Sequence, residues 1–190
     1  GHGGDRKMLV RPRPARAVAR ERAWWLRAES GRGLPAASAG GRDWPGLVLD
    51  VDATLVEAHS EKEGAAAHFK GGFGFHPILV FLDNTNEALA GILRPGNAGA
   101  NTAADHITVT DAALAQIPDE HRHGTPILVR ADGAGCSKAW LAHLRSLRTD
   151  RGLDVSFSVG FTMTEHVQQA ILDLRQALGL DMGVDLGGRN

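Results

Sequence analysis

Leu47-Val48-Leu49-Asp50-Val51-Asp52-Ala53-Thr54-Leu55-Val56 decides how the chain is read. An apolar run meets two carboxylates and a threonine. As a strand it alternates faces with a period of two. Asp50 and Asp52 then share a face, roughly 6.6 Å apart along the strand. Leu47, Leu49 and Val51 face the other way. Burying a bare carboxylate is costly, so the stretch is either a strand end with solvated acids or an acid site that binds metal or attacks a substrate.

The surrounding chain sets the frame. Its 190 residues suit one domain with a short appendage. The apolar share of 43% and charged share of 23% belong to a globular chain that can bury a core. The single cysteine, Cys136, excludes an intrachain disulfide and a cysteine metal cluster, and points to a reducing, cytoplasmic setting. No apolar run approaches the roughly 18 residues of a membrane span, and no signal peptide opens the chain. The first residue is glycine, which reads as a fragment, a processed product or an engineered start.

A net charge of −1 hides an asymmetry. Residues 1–44 carry ten Lys/Arg against four Asp/Glu, and the remainder carries eleven against eighteen. A basic arm on an acidic body suggests a polyanion for the arm and metal for the body. A solvated leader explains the arm equally well. We expect residues 1–44 to form a basic, partly disordered leader and linker, with a short helix over 15–28. A core over 45–178 and an irregular tail over 179–190 follow.

Within the core, strands are expected at 46–52, 76–82 and 88–93. The turn Asp83-Asn84-Thr85-Asn86 makes the last two antiparallel. Residues 57–72 read as a polar loop and 94–101 as a Gly-rich one. Thr102 with Asp105 resembles a capping box opening a helix to about Gln116, and Pro118 stops it. Asp119 to Gly124 reads as a loop. Ile127 to Ala131 is a buried strand ending at Asp132, and Ser137 to Arg148 a helix burying Trp140, Leu141, Leu144 and Leu147. Val155 to Val159 is a strand. Val167, Ile171, Leu174 and Leu178 mark a last helix over about 164–178 by their three- and four-residue steps. The order is an α/β, ribonuclease-H-like mixed sheet: a three-strand antiparallel meander, then helix-strand-helix-strand-helix, with helices on both faces. It reads as incomplete at the C-terminus.

In that order the first strand lies centrally and the strand ending at Asp132 pairs beside it. Asp52 and Asp132 then converge. Converging carboxylates can hold two Mg²⁺ (or Mn²⁺) ions about 3.5–4 Å apart, clamping a phosphodiester. Hard cations take oxygen ligands and Mg²⁺ keeps several waters, so few protein ligands suffice.

Further stretches carry a resemblance. They are Leu49 to Val56, His59-Ser60-Glu61-Lys62-Glu63-Gly64, Phe69-Lys70-Gly71-Gly72-Phe73-Gly74-Phe75-His76-Pro77, Leu82-Asp83-Asn84-Thr85, Leu93-Arg94-Pro95-Gly96-Asn97-Ala98-Gly99-Ala100-Asn101 and Val129-Arg130-Ala131-Asp132. Over about 44–175 the chain resembles bacterial insertion-sequence transposases of the DDE group 1 class. The resemblance implies a recombinase that cuts DNA at element ends and joins the 3′-hydroxyls to target DNA. It makes Asp52 the first catalytic, metal-binding acid and Asp132 the second. Asp50 becomes a neighbour that raises the negative potential. The implied partners are element-end and target DNA, with a homodimer possible in principle and no membrane; the setting is the bacterial cytoplasm beside the nucleoid.

The family's third acid, a glutamate, lies on a helix beyond an inserted β-rich segment. Glu165 and Asp173 come too early to be that residue. The chain therefore reads as truncated at both ends or degenerate, with weak or absent strand transfer on its own.

Other residues have plainer uses. Arg94, Arg130 and Lys70 can touch DNA phosphates, although surface charge or pairing with acids accounts for each. His59, His68 and His76 fit no zinc spacing. His121 and His123 read as solvated, and Cys136 as a small buried residue. Gly133-Ala134-Gly135 is a weak phosphate-loop signal. Trp24 and Trp25 can stack on bases or bury a helix face. Two rival functions remain. One is a haloacid-dehalogenase-type phosphohydrolase with Asp50 as nucleophile and Asp52 as acid/base. The other is a non-catalytic DNA-binding remnant that depends on residues 1–44.

Overall fold

Val48, Asp50 and Asp52 sit on one face of a seven-residue strand, and Leu47, Leu49 and Val51 are buried on the other. The computed structural model describes residues 8–10, 14–99 and 102–179. Expectations for residues 1–7 and 11–13, and for the tail beyond Gly179, lie outside the described residues.

The strands are β1 (Met8–Val10), β2 (Ala37–Ala39), β3 (Arg42–Trp44), β4 (Leu47–Ala53), β5 (Val56–Glu57), β6 (Ala66–Ala67), β7 (Phe73–Phe75), β8 (Ile78–Leu82), β9 (Glu87–Leu93), β10 (Ile127–Ala131) and β11 (Val155–Val159). The helices are α1 (Pro14–Glu29), α2 (Ala103–Leu114), α3 (Asp119–Gly124), α4 (Lys138–Arg151) and α5 (Glu165–Ala177). Six strands form one sheet in the order β1-β9-β8-β4-β10-β11. β4 runs antiparallel to β8 and parallel to β10, and β8 and β9 form the expected antiparallel pair. This is the mixed sheet of a ribonuclease-H-like domain, with β4 flanked on both sides.

The described residues up to Gly160 and those from Phe161 on form two compact units. In the first, Leu47, Leu49 and Val51 join Val80, Leu82, Val109, Leu114, Val129, Trp140, Leu144 and Leu147 in one core, so α2 and α4 cover that face. Trp140 is fully buried, and its indole N–H donates to Thr110 Oγ1 at 3.1 Å. Leu141, expected in the core, is partly buried at its edge. The opposite face of β4 is covered at Val48 and Leu128 by the β2–β3 hairpin, not by a helix. In the second unit, Thr164 Oγ1 caps α5 by accepting from Val167 N at 3.4 Å.

Several local expectations are corrected. The leader and linker expected over 1–44 contain the β2–β3 hairpin. Its two-residue turn, Gly40-Gly41, has φ of 60° and 74°, which glycine adopts without penalty. Asn84 ties that stretch down: its amide donates to the carbonyls of Pro35 and Gly46 and its Oδ1 accepts from Val48 N.

Helix α1 is joined to the body. Trp24 is buried in the core, and buried Arg20 grips Glu87 at 2.6 and 2.9 Å while donating to Gln116 O at 2.7 Å. Deleting residues 1–44 therefore removes core as well as charge. Residues 119–124, expected as a loop, form the short α3, and His121 packs edge-on against Trp24 with ring centroids 4.8 Å apart. The polar loop expected over 57–72 takes in the last residue of β5 and all of β6, two strands that flank β7 in a small separate sheet.

The capping box does not form. Thr102 Oγ1 donates to Gly99 O, and Asp105 is engaged by Arg94. Ser137 does cap α4, and Gly152 ends that helix in the left-handed conformation at φ 64°. Among the described residues, no helix is long and apolar enough to cross a membrane.

Candidate functional site

Parallel pairing of β4 with β10 sets the site. Arg130 lies opposite Asp50 and Ala131 opposite Val51. Asp52 on β4 and Asp132, just past the end of β10, each follow directly on the last pair of that ladder, Val51 with Ala131. Both acids are exposed. They lie at the carboxyl ends of two central parallel strands, the edge where open α/β sheets present ligand-binding groups. The two residues singled out from sequence thus come to the same edge of the sheet, although 80 positions apart.

Asp50 is different. Arg130 Nε and Nη2 meet its two carboxylate oxygens at 2.6 Å each, a bidentate pair. The same guanidinium lies 3.5 Å from Asp83 and donates to Ser38 O of the β2–β3 hairpin at 2.6 Å. The hydrogen bond with Asp50, aided by the charges of Asp50 and Asp83, holds the Arg130 pKa above its ordinary value against partial burial. Asp50 is therefore neutralised, which corrects the expectation that it deepens the negative potential. A carboxylate locked in two such bonds is also a poor nucleophile, and the antiparallel β8 occupies the place where a dehalogenase-type sheet needs a parallel strand.

Behind Asp132 lies a histidine that the sequence did not single out. His106, on the first turns of α2, is 3% exposed. Its Nδ1 lies 3.0 Å from Thr102 O, and its ring centroid is 5.2 Å from that of Trp140. Burial is the largest influence and lowers its pKa; the Arg94 charge acts the same way, while the charges of Asp105 and Asp132 oppose it. The only sequence signal was its position next to Asp105 in a first helical turn.

The remaining candidates separate. Arg94 is fully buried and cannot reach a phosphate. Its Nε donates to His76 O at 2.8 Å, and Nη1 donates to Gly99 O at 2.8 Å and lies 3.4 Å from Asp105. Arg130 serves the acids, and Lys70 is exposed. His68 is buried against Glu57 at 2.7 Å, and buried His76 has Nδ1 2.9 Å from Ala98 O, so neither joins His59 in a metal cluster. Cys136 is exposed, contrary to expectation, because the 3₁₀ turn Gly133–Gly135 turns the chain outward before α4. Trp24 is a core residue, whereas Trp25 is 43% exposed beneath Arg22 at 4.2 Å.

Among the described residues, no group of three or more His, Cys, Asp or Glu is arranged to hold a metal ion. Asp52 and Asp132 offer a pair of hard oxygen ligands. A family model described as Transposase DDE domain group 1 matches residues 41–181. No curated protein matches the chain.

Proposed function

Because the chain belongs to the Transposase DDE domain group 1 family, we propose that it cuts DNA at insertion-sequence ends and joins the 3′-hydroxyls to target DNA. Asp52 and Asp132 are the acids of that reaction, and Mg²⁺ or Mn²⁺ is the cofactor. One observation supports the reading: the parallel β4–β10 register, whose last pair, Val51 with Ala131, is followed on each strand by one of the two acids at an open sheet edge.

The donor set fits a hard divalent cation, since both groups supply oxygen and exposure leaves room for coordinated water. Arg130 engages both carboxylate oxygens of Asp50, so Asp52 and Asp132, rather than Asp50, are the acids assigned to the ions. Asp52 and Asp132 would hold the ions, which would supply activation of an oxygen nucleophile and stabilisation of the departing oxygen. The protein's part is to fix the two carboxylates on a rigid central pair of strands. The Asp50–Arg130–Ser38 contacts brace that pair from the hairpin side. With two acids, we expect these 190 residues by themselves to nick end DNA weakly and to join it poorly. The work would be done in the bacterial cytoplasm, on DNA, by a dimer holding two element ends.

Nicking of element-end DNA with Mn²⁺ tests the reading and separates it from the phosphohydrolase alternative. Asp50→Asn should reduce nicking severalfold through loss of the brace. Abolition by Asp50→Asn with Asp52→Asn still active would assign the chemistry to Asp50. Robust joining by the chain alone would refute the impairment.

Gly160 supplies a second test. Its N–H donates to Ala131 O at 3.0 Å, and a Cβ there would sit 2.9 Å from Gly133 N and 3.2 Å from the Asp132 carbonyl carbon. Gly160→Ala should push Asp132 out of register and weaken Mn²⁺ binding about tenfold, about 1.4 kcal/mol. Gly124→Ala, with nothing within 4 Å of the new Cβ, is the control and should bind as the parent does.

A further inference from the structure

We propose that Phe69 is a stacking platform for an unpaired DNA base next to the cut site, an inference that rests on the DNA-cutting reading above. At 77% exposure Phe69 is the most exposed large apolar side chain among the described residues. Its position is fixed by a clamped turn. His68 N–H donates to Gly72 O at 2.9 Å, and Gly71 N–H donates to His68 O at 3.0 Å with Gly71 in the left-handed region at φ 82°. The His68 ring is buried and pinned to Glu57, and Gly72 passes so close that a Cβ would lie 2.5 Å from His68 Nε2. The ring of Phe69 thus projects from an anchored base, with little freedom to lose on contact.

Its location fits the proposed chemistry. Residues 54–77 leave the sheet at the end of β4 that carries Asp52 and return at the start of β8, closed at the base by Thr54 N–H donating to Pro77 O at 3.1 Å. The Phe69 ring centroid is 6.2 Å from that of His76. His76 lies three residues before Leu79, the partner of Asp52 in the β4–β8 ladder, hence at most about 10 Å from it along the chain. At about 3.4 Å per nucleotide, this puts the ring within a few nucleotides of a phosphate bound to the ions that Asp52 and Asp132 would hold.

The chemistry of the excursion favours a base over a phosphate. Residues 54–77 hold Lys62 and Lys70 against Glu57, Glu61 and Glu63, so they offer no cationic field. What they offer is an aromatic face with one cation beside it, Lys70 Nζ lying 5.9 Å from the ring centroid. Every base has a π-face, and base–aromatic stacking needs no particular sequence. A strand frayed at a cut exposes such a base.

The experiment uses the full chain in EDTA, so it does not depend on the metal site. The probe is a thymidine oligonucleotide carrying a single 2-aminopurine, read by fluorescence quenching and by affinity. The parent should bind and quench. Phe69→Trp should keep both, and Phe69→Ala and Phe69→Leu should lose the quench and bind about ten- to a hundredfold more weakly. Unchanged urea midpoints would show that the variants keep the fold. Equal quenching by Phe69→Leu, or no loss in Phe69→Ala, overturns the inference while leaving the cutting reading intact, provided duplex ends are still nicked. Failure of the parent to bind both this probe and duplex ends overturns both.

Discussion

Asp52→Asn and Asp132→Asn should each abolish metal-dependent nicking of element-end DNA, by at least about a hundredfold. The amide keeps the size of the carboxylate and removes its charge, and stabilisation by a metal pair amounts to several kcal/mol of the barrier. Neither variant should lower stability much. Both side chains are exposed. Loss of activity without loss of fold separates a chemical role from a structural one. Two urea midpoints, run beside the nicking assay, make the distinction. A variant that is folded and still nicks at the parental rate would remove that residue from the site.

Arg94→Met should destabilise the fold by about 3–5 kcal/mol, the usual cost of breaking a buried pair. The arginine is fully buried. Burial, the dominant influence, pulls its pKa below the ordinary value, and Asp105 pulls it back up. Its Nε satisfies the carbonyl of His76 at the foot of β8, and its Nη1 satisfies that of Gly99 and faces Asp105 on α2. Methionine fills much of the volume but leaves the two carbonyls without these donors and Asp105 without this cation. Arg94→Met with Asp105→Leu should recover part of the loss, because replacing both partners of a buried pair is far less harmful than removing one. Urea unfolding of the single and double variants measures the difference. A single variant within about 1 kcal/mol of the parent, against the usual cost of breaking a buried pair, would mean that the cation is dispensable to the fold.

Two strands and their acids were legible because the code is local. Leu47 to Val51 and Ile127 to Ala131 are apolar runs closed by aspartates, and alternation alone sets the shared face of Asp50 and Asp52. The hairpin of residues 76–93 was legible from its turn residues, and it fixes β4 at the sheet centre. The β2–β3 hairpin was not. Ala37-Ser38-Ala39 has almost no strand character, and the usable signal was Gly40-Gly41, a pair able to supply two positive φ values. Arg94 reads as a surface charge after an apolar strand. Its burial depends on Asp105, eleven residues away, and on carbonyls contributed by two other segments. Arg20 likewise reads as part of a solvated basic arm until Glu87, 67 positions away, is brought against it. The same limit applies at the site. Asp50 and Asp52 look equivalent in sequence, and only the β10 register reveals that Arg130 claims one of them.

The central claim is that Asp52 and Asp132 share divalent ions, and Mn²⁺ binding measures it most directly. Titration followed by electron paramagnetic resonance should be run on the parent, Asp52→Asn, Asp132→Asn and the double variant. Shared ions predict that each single change loses nearly all the affinity and that the double loses little more. Independent, additive losses, or Mn²⁺ binding that either single change leaves intact, would contradict it.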